Sequence, residues 1–207
     1  MPVGETVWQR IYLYFPTTYS FGYMYAGGDS AELSACGLGT GDDGNATRKF
    51  LVFSPNSGTA RIYLNYSCSR RQISQPSDAR LWLFVEANTA GNVNAECAIP
   101  LGRWFALQFA VKVATNNTGW ARAWLDDELI LESTGIQTIA GSASAVTEWG
   151  IGDYWNGYPW FDGEADRDSF YVDDVVVAST ASGYGAPTGE DASGNAYISP
   201  LTLAGDL

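Results

Sequence analysis

The chain contains no histidine in its 207 residues, and its 11 basic residues are outnumbered by 23 acidic ones. The absence of histidine excludes Ser-His-Asp and Cys-His nucleophile systems and the commonest catalytic zinc sites. The formal net charge of −12 argues against nucleic-acid binding, because neutralising phosphates requires a net basic surface. These absences argue against histidine-dependent catalysis and against a nucleic-acid ligand.

Cysteines and long apolar runs are also scarce. Cys36, Cys68 and Cys97 show no CxxC spacing, so one disulfide plus a buried thiol and three buried thiols are both open. No stretch approaches the roughly 18 consecutive apolar residues that span a bilayer, so we expect no membrane insertion. The first residues also lack a charged and then apolar leader.

Strand-like runs fill most of the chain. Runs such as "RIYLYF", "RIYLN" and "WFALQFAVKV" are separated by clusters of Gly, Asn, Ser, Asp and Pro, and helical periodicity is almost absent. The stretch "GWARAWLDDELILES" reads as a strand, a tight turn and a second strand. The pattern predicts an all-β, two-sheet antiparallel sandwich over residues 1–182.

Residues 183–207 differ in composition from the rest. They are rich in Gly, Ala and Pro, carry three acids and no base, and show no strand period. We expect an extended C-terminal arm whose "AYISPLTL" segment docks on a protein partner or on another copy of the chain.

Alternation along the strands separates two kinds of residue. Aliphatic residues share one face of each strand, and aromatic rings mixed with Arg, Lys, Gln and Asn share the other. Because a sugar ring stacks on aromatic side chains while amides and guanidiniums take its hydroxyls, the second face predicts a carbohydrate site, and its bases favour an anionic glycan. The candidate ligand-binding residues are Arg10, Tyr12, Tyr14, Arg61, Tyr63, Trp82, Gln108, Lys112, Arg122 and Trp124.

Two interpretations of this face are open. In the first, Trp82, Tyr63, Trp124 and Arg122 line one groove that is at least partly open to solvent. In the second, loops or a further layer cover the rings, and the bases pair with acids such as Glu86.

The segments "RWFALQFAVKVATNNTGWARAWLDDELILES" and "SFYVDDVVVAST" resemble the concanavalin A-like lectin/glucanase superfamily, which includes laminin-G-like modules and polysaccharide lyases. The resemblance covers roughly residues 7–180 and implies a jelly roll of two curved sheets, the concave one often binding glycan. It also implies a structural calcium ion held by Asp173 of the final strand. The acidic loops 41–45 and 162–168 suit calcium too, although solvated loops are the favoured explanation of them, and no other cofactor is expected.

The sequence favours a non-catalytic function. The glucanase pattern E-x-D-x-x-E is absent. We therefore predict a surface-displayed, glycan-binding or adhesive jelly roll that is extracellular, on a cell surface or on a virion. The missing leader and histidine lean toward a phage capsid decoration or tail protein.

The alternative is a polysaccharide lyase that acts on an anionic, uronate-containing glycan. A tyrosine would serve as base and acid, and basic or amide groups would neutralise the uronate. The candidate catalytic residues for this alternative are Tyr12, Tyr63, Gln108, Lys112 and Arg122.

Overall fold

The computed structural model describes residues 1–19, 47–56, 60–67, 80–87, 93–156 and 169–200. Loops 41–45 and 162–168, Cys36 and Cys68 lie outside the described residues, as does the side chain of Cys97. The described residues form the following strands: β1 (Thr6–Tyr14), β2 (Thr47–Pro55), β3 (Ile62–Ser67), β4 (Arg80–Val85), β5 (Val93–Ala98), β6 (Trp104–Lys112), β7 (Gly119–Leu125), β8 (Glu128–Ile136), β9 (Val146–Asn156), β10 (Tyr171–Ser179), β11 (Gly189–Glu190) and β12 (Ala196–Tyr197).

The strands build two antiparallel five-stranded sheets and one small hairpin. Sheet I has the order β10-β1-β6-β7-β8, sheet II has the order β5-β4-β3-β2-β9, and β11 pairs with β12. This arrangement confirms the all-β, two-sheet jelly-roll sandwich expected from the sequence. Within the described ranges, no helix is long and apolar enough to cross a membrane.

The core lies between the inner faces of the two sheets. Leu107, Phe109 and Val111 of β6 are buried there, as the alternation predicts. The rings of Phe109 and Phe53 stack across the sandwich, with 5.1 Å between centroids. Ala123 of β7 pairs in register with Phe109, so its small side chain leaves room for the ring. Each such buried side chain stabilises the fold by about 1.5–3 kcal/mol relative to exposure.

The predicted hairpin between β7 and β8 is confirmed. Asp126 and Asp127 form its two-residue turn, and both have positive φ (48° and 71°). Positive φ at both central residues is the type I′ geometry, which matches the twist of the flanking strands and which aspartate tolerates. Asp126 Oδ1 accepts the Ala106 backbone N–H at 2.9 Å, and Asp127 Oδ1 pairs with the Arg10 guanidinium at 2.6 Å. The turn is therefore tied to both β6 and β1.

The described part of the C-terminal tail packs on its own domain. Ile198 is buried on the outer face of sheet I, in a cluster with Trp8, Ala110, Trp124 and Ala178. The expectation that the arm docks on a partner is therefore wrong for residues 183–200. Trp8 and Trp124 are large apolar side chains whose burial removes them from water, and the segment around Ile198 covers them.

Several hydrogen bonds hold the described part of the tail to sheet I, among them one from the Ser179 N–H of β10 to the Gly185 carbonyl at 3.0 Å. Gln108 Oε1 accepts the Ile198 N–H, and the Ile198 carbonyl accepts from the Arg10 guanidinium, at 3.0 and 2.9 Å. Trp8 Nε1 donates to the Ala196 carbonyl and Trp124 Nε1 donates to Asp191 Oδ2, both at 2.8 Å. Each of these bonds satisfies a buried polar group of sheet I, although Arg10 Nε and Gln108 Nε2 keep no partner among the described residues, so the tail contributes specific contacts as well as apolar cover.

We predict that Ile198→Ala lowers the free energy of unfolding by about 2–4 kcal/mol, because it empties the space between two tryptophans. Urea unfolding measures the change. The matched control is Tyr184→Ala in the same tail, because Tyr184 is exposed and its loss should stay within about 0.5 kcal/mol. Equal effects of the two substitutions would show that the tail does not dock in solution.

Tail docking should also depend on pH through Asp191. Although desolvation opposes its ionisation, hydrogen bonds from Trp124, from the Asn195 amide and from the backbone N–H groups of Asn195 and Ser193 lower the pKa of Asp191 to about 2. A carboxyl group in an unfolded chain titrates near pH ~3.9. Because the folded-state pKa is the lower one, this stabilisation is present above about pH 4 and is lost as pH falls toward about 2.

Tryptophan fluorescence followed between about pH 5 and pH 2 should report this release of the tail. The Asp191→Asn variant should lack that transition, since it has no carboxyl group to protonate. Superimposable titrations of the two proteins would contradict the assignment.

Candidate functional site

The residues predicted to form one groove lie on two different sheets. Trp124 and Arg122 belong to β7 in sheet I, whereas Tyr63 and Trp82 belong to β3 and β4 in sheet II. The single groove is therefore wrong. Of the ten candidate ligand-binding residues, seven lie on strands of sheet I: Arg10, Tyr12, Tyr14, Gln108, Lys112, Arg122 and Trp124. Arg61 and Tyr63 lie at β3, and the side chain of Trp82 is outside what the structure describes.

Most of the candidates on sheet I are engaged within the chain. Trp124 is 1% exposed, and Arg10 and Gln108 are buried under the tail that they bind. Arg122 Nε pairs with Glu132 at 2.7 Å, and its guanidinium lies 4.3 Å from the Trp120 ring centroid. For this part of sheet I the interpretation with covered rings and paired bases holds, so these groups do not form an open ligand site.

The outer face of sheet II carries a polar line along β3. Ile62 and Leu64 point into the core, so the alternation turns Tyr63 and Asn65 outward. Arg61 directly precedes the strand, and its guanidinium donates to the Tyr63 hydroxyl at 3.3 Å. The Tyr63 ring stacks beside Phe84 of β4, with 6.2 Å between centroids. Arginine, tyrosine and asparagine thus follow one another on one face, from an exposed end to a buried end.

The positive charge at the exposed end is already balanced. The hydrogen bond to Tyr63, followed by the carboxylates of Glu86 and Glu148, raises the pKa of the Arg61 guanidinium. Glu86 Oε2 also accepts the Arg61 backbone N–H at 2.9 Å. Glu86 therefore lies close enough to act on the charge of Arg61, while its hydrogen bond to Arg61 is to the backbone and not to the guanidinium.

Asn65 at the buried end is different. Its side chain is fully buried, and neither its Oδ1 nor its Nδ2 has a hydrogen-bond partner among the described residues. A buried amide without partners costs about 1–3 kcal/mol, so such groups are rare and often serve a ligand or the chemistry of a site. Asn65 therefore offers one donor and one acceptor to a molecule that enters this face.

The register of sheet II places further polar residues in the row of Asn65. Asn65 pairs with Lys49 of β2 and with Trp82 of β4, and Lys49 pairs with Tyr154 of β9. Trp82 pairs in turn with Asn94 of β5. The row crosses all five strands and contains a lysine, a tyrosine and two asparagines. We call it the Asn65 row.

The predicted calcium ligand stays a prediction. Asp173 lies on β10 and is exposed, and its Oδ1 accepts the backbone N–H of Asp174 at 2.9 Å. In the part of the chain that the structure describes, no three Asp, Glu or Cys side chains cluster in a way that could hold a metal ion.

A comparison with protein families shows which family the chain belongs to. The family model "Polysaccharide lyase" matches residues 1–176. The chain belongs to the polysaccharide lyase family. Membership implies carbohydrate binding, and it favours the lyase alternative over the non-catalytic, virion-associated protein that the sequence favoured.

Solved structures to which this polysaccharide lyase family member is similar include several lyases. Alginate lyase Aly36B matches with a TM-score of 0.50 at 10% identity, over 86% of this chain and 70% of that chain. A mutant of Aly36B in complex with alginate tetrasaccharide matches with a TM-score of 0.50 at 12% identity, over 86% and 70%. The endo-β-1,4-glucuronan lyase from the fungus Trichoderma reesei has a TM-score of 0.48 at 15% identity, over 86% and 69%. No curated protein matches the chain in sequence.

Three residues of this polysaccharide lyase family member were not among the predicted site residues. The sequence presents Asn65 only as one polar position on an aromatic face, and it gives no reason to select Lys49 or Tyr154. The signal for Asn65 was its alternation with Ile62 and Leu64. Lys49 has no such signal, because the register of β2 shifts between Lys49 and Leu51.

We predict that Asn65→Leu leaves the stability unchanged or raises it by up to about 2 kcal/mol, since it replaces an unpartnered amide by an apolar group of similar shape. The matched control is Gln108→Leu, which leaves the Ile198 N–H without its acceptor and should cost about 1–3 kcal/mol. Urea unfolding compares the two variants. A clear loss of stability in Asn65→Leu would mean that the amide has a structural partner after all.

Proposed function

We propose that the chain is a lyase that cleaves a uronate-containing polysaccharide by β-elimination on the outer face of sheet II. The observation that carries the proposal is the buried, unpartnered amide of Asn65 on the same face as Tyr63, in a member of the polysaccharide lyase family. A site that keeps polar groups unsatisfied without its ligand is typical of function rather than of stability.

The reaction sets three requirements. A base removes the proton at C5 of the uronate, the electron pair forms a C4–C5 double bond, and the bond from C4 to the glycosidic oxygen breaks. An acid then protonates the departing oxygen. The C5 proton is acidic enough only because the adjacent carboxyl group stabilises the developing negative charge, so the substrate must carry a uronate and the site must stabilise that carboxylate.

Asn65 suits the stabilising role. Its Nδ2–H group can donate to a carboxylate oxygen in a buried setting, where a hydrogen bond to developing charge is stronger than in water. Arg61 is less suited, because its charge is shared with Tyr63, Glu86 and Glu148. We place Arg61 at the exposed end of the site, where it holds the Tyr63 hydroxyl.

Two tyrosines are candidates for the proton transfers. Tyr63 precedes Asn65 by two residues on the same face, and its hydroxyl is held by Arg61. Tyr154 occupies the Asn65 row through its pairing with Lys49. The other lyase candidates expected from the sequence, Tyr12, Gln108, Lys112 and Arg122, lie on strands of sheet I and cannot act at this face.

Tyr63 and Asn65 are both buried, so a substrate reaches them only in a conformation in which this face is exposed. Their burial places the reacting groups in a setting of low dielectric, where hydrogen bonds to developing charge are strengthened.

We expect incubation with polyglucuronate or alginate to produce unsaturated uronates, measured by the rise in ultraviolet absorbance. Asn65→Ala should lower kcat by about 10²- to 10³-fold, as removing one donor to developing charge does elsewhere. Tyr63→Phe or Tyr154→Phe should lower the rate by about 10²- to 10⁴-fold, and the one that does so identifies the acid and base.

Tyr12→Phe is the matched control, because Tyr12 also hydrogen-bonds an arginine two residues away but lies on sheet I. It should keep full activity. Full activity in both Tyr63→Phe and Tyr154→Phe, or no product from any polyuronate, would contradict the proposal.

A further inference from the structure

Three aromatic rings lie side by side at one end of sheet I. Tyr14 pairs in register with Trp104 on one side and with Tyr171 on the other. The ring centroids are 5.7 Å apart for Tyr14 and Trp104, and 5.9 Å apart for Tyr14 and Tyr171. We call these three residues the aromatic row.

The aromatic row is exposed to solvent, whereas the tail covers the part of the same face around Trp8 and Trp124. Tyr171 is 57% exposed and Trp104 is 48% exposed, whereas Trp8 and Trp124 on the same face are buried under the tail. The interplanar angles to Tyr14 are 50° for Trp104 and 64° for Tyr171. Neither outer ring is stacked face to face on Tyr14, and both keep about half of their surface exposed.

Polar groups border the rings. Arg103 next to Trp104 pairs with Asp126 at 2.6 Å, and both side chains are partly exposed. Asp173 pairs in register with Tyr12, one row away from Tyr14 and Tyr171, and is exposed. Flat rings bordered by a guanidinium, carboxylates and phenol hydroxyls match the apolar faces and the hydroxyl rim of a sugar ring.

We propose that the aromatic row is a second saccharide-binding site, separate from the Asn65 row and on the opposite sheet. Its occupant is a neutral polysaccharide chain. Membership of the polysaccharide lyase family makes a glycan the ligand that this protein meets, and the exposed rings supply the stacking surface.

The charges decide between neutral and acidic glycans. Arg103 is neutralised by Asp126, while Asp173, which pairs in register with Tyr12, adds a negative charge in the neighbouring row. Negative charge at this place would repel a polyuronate but not a neutral chain. The aromatic row would then hold the protein on a neutral polymer that occurs together with its acidic substrate.

The test is affinity gel electrophoresis of the full chain in gels that contain a neutral polysaccharide, either hydroxyethylcellulose, galactomannan or laminarin, or that contain alginate. The Asn65→Ala variant serves as the parent, so that cleavage cannot alter the gel and the lyase proposal can fail without affecting this one. We expect at least one neutral polymer to retard the parent. Trp104→Ala and Tyr171→Ala should each raise the dissociation constant by about tenfold or more.

Two matched controls test whether any exposed ring suffices. Trp149 on sheet II is 41% exposed and Tyr184 in the tail is 50% exposed, so Trp149→Ala and Tyr184→Ala remove comparable rings elsewhere. Both controls should keep the parent's mobility in the gel. The proposal is overturned if no neutral polymer retards the parent, if only alginate does, or if the controls lose as much affinity as the two row variants.

Discussion

The two-residue alternation along β1 and β6 is the constraint on which the rest of the molecule depends. It sends Ile11 and Leu107 into the core and, with the same regularity, sends Trp8 and Gln108 outward. Those outward groups need cover or hydrogen-bond partners, and the segment around Ile198 supplies both. Where the tail does not reach, the same alternation leaves rings open to solvent. One local regularity therefore determines the core, the position of the tail and the exposed end of sheet I.

The fold could be predicted because alternation is a local property of each strand. Which strands become neighbours is not local, and this is where the prediction of a single groove was wrong. Tyr63 and Trp124 have similar sequence surroundings. Each lies between small or aliphatic residues and follows an arginine by two positions. Only the crossing of the chain between sheets puts β3 and β7 on opposite sides of the sandwich. No feature of either strand alone reveals that separation.

The candidate site was harder to predict for a second reason. The shift of register between Lys49 and Leu51 places both Phe50 and Leu51 in the core. The alternation of β2 is therefore broken next to Lys49, the residue that pairs with Asn65. A bulge of this kind re-aims the residues that follow it, and such irregularities are common next to active sites. Asn65 lies on a strand without a bulge and was visible as an outward residue. Its missing hydrogen-bond partners, which within the described ranges it shares with the buried amide of Gln9 on β1, are a property of its three-dimensional surroundings.

The contact between Trp8 and Ala196 joins residues 188 positions apart. Closing so long a loop is entropically unfavourable until the strands between them have paired, so this contact should be among the last to form as the chain folds. The residues of the tail lie in a cluster outside the main core, which places the tail among the parts of the molecule that can open locally. The outer surface of sheet I is thus completed after the sandwich and can be uncovered again while the sandwich stays folded. Its tryptophans would then exchange between a dry and a wet environment in a protein that is otherwise native.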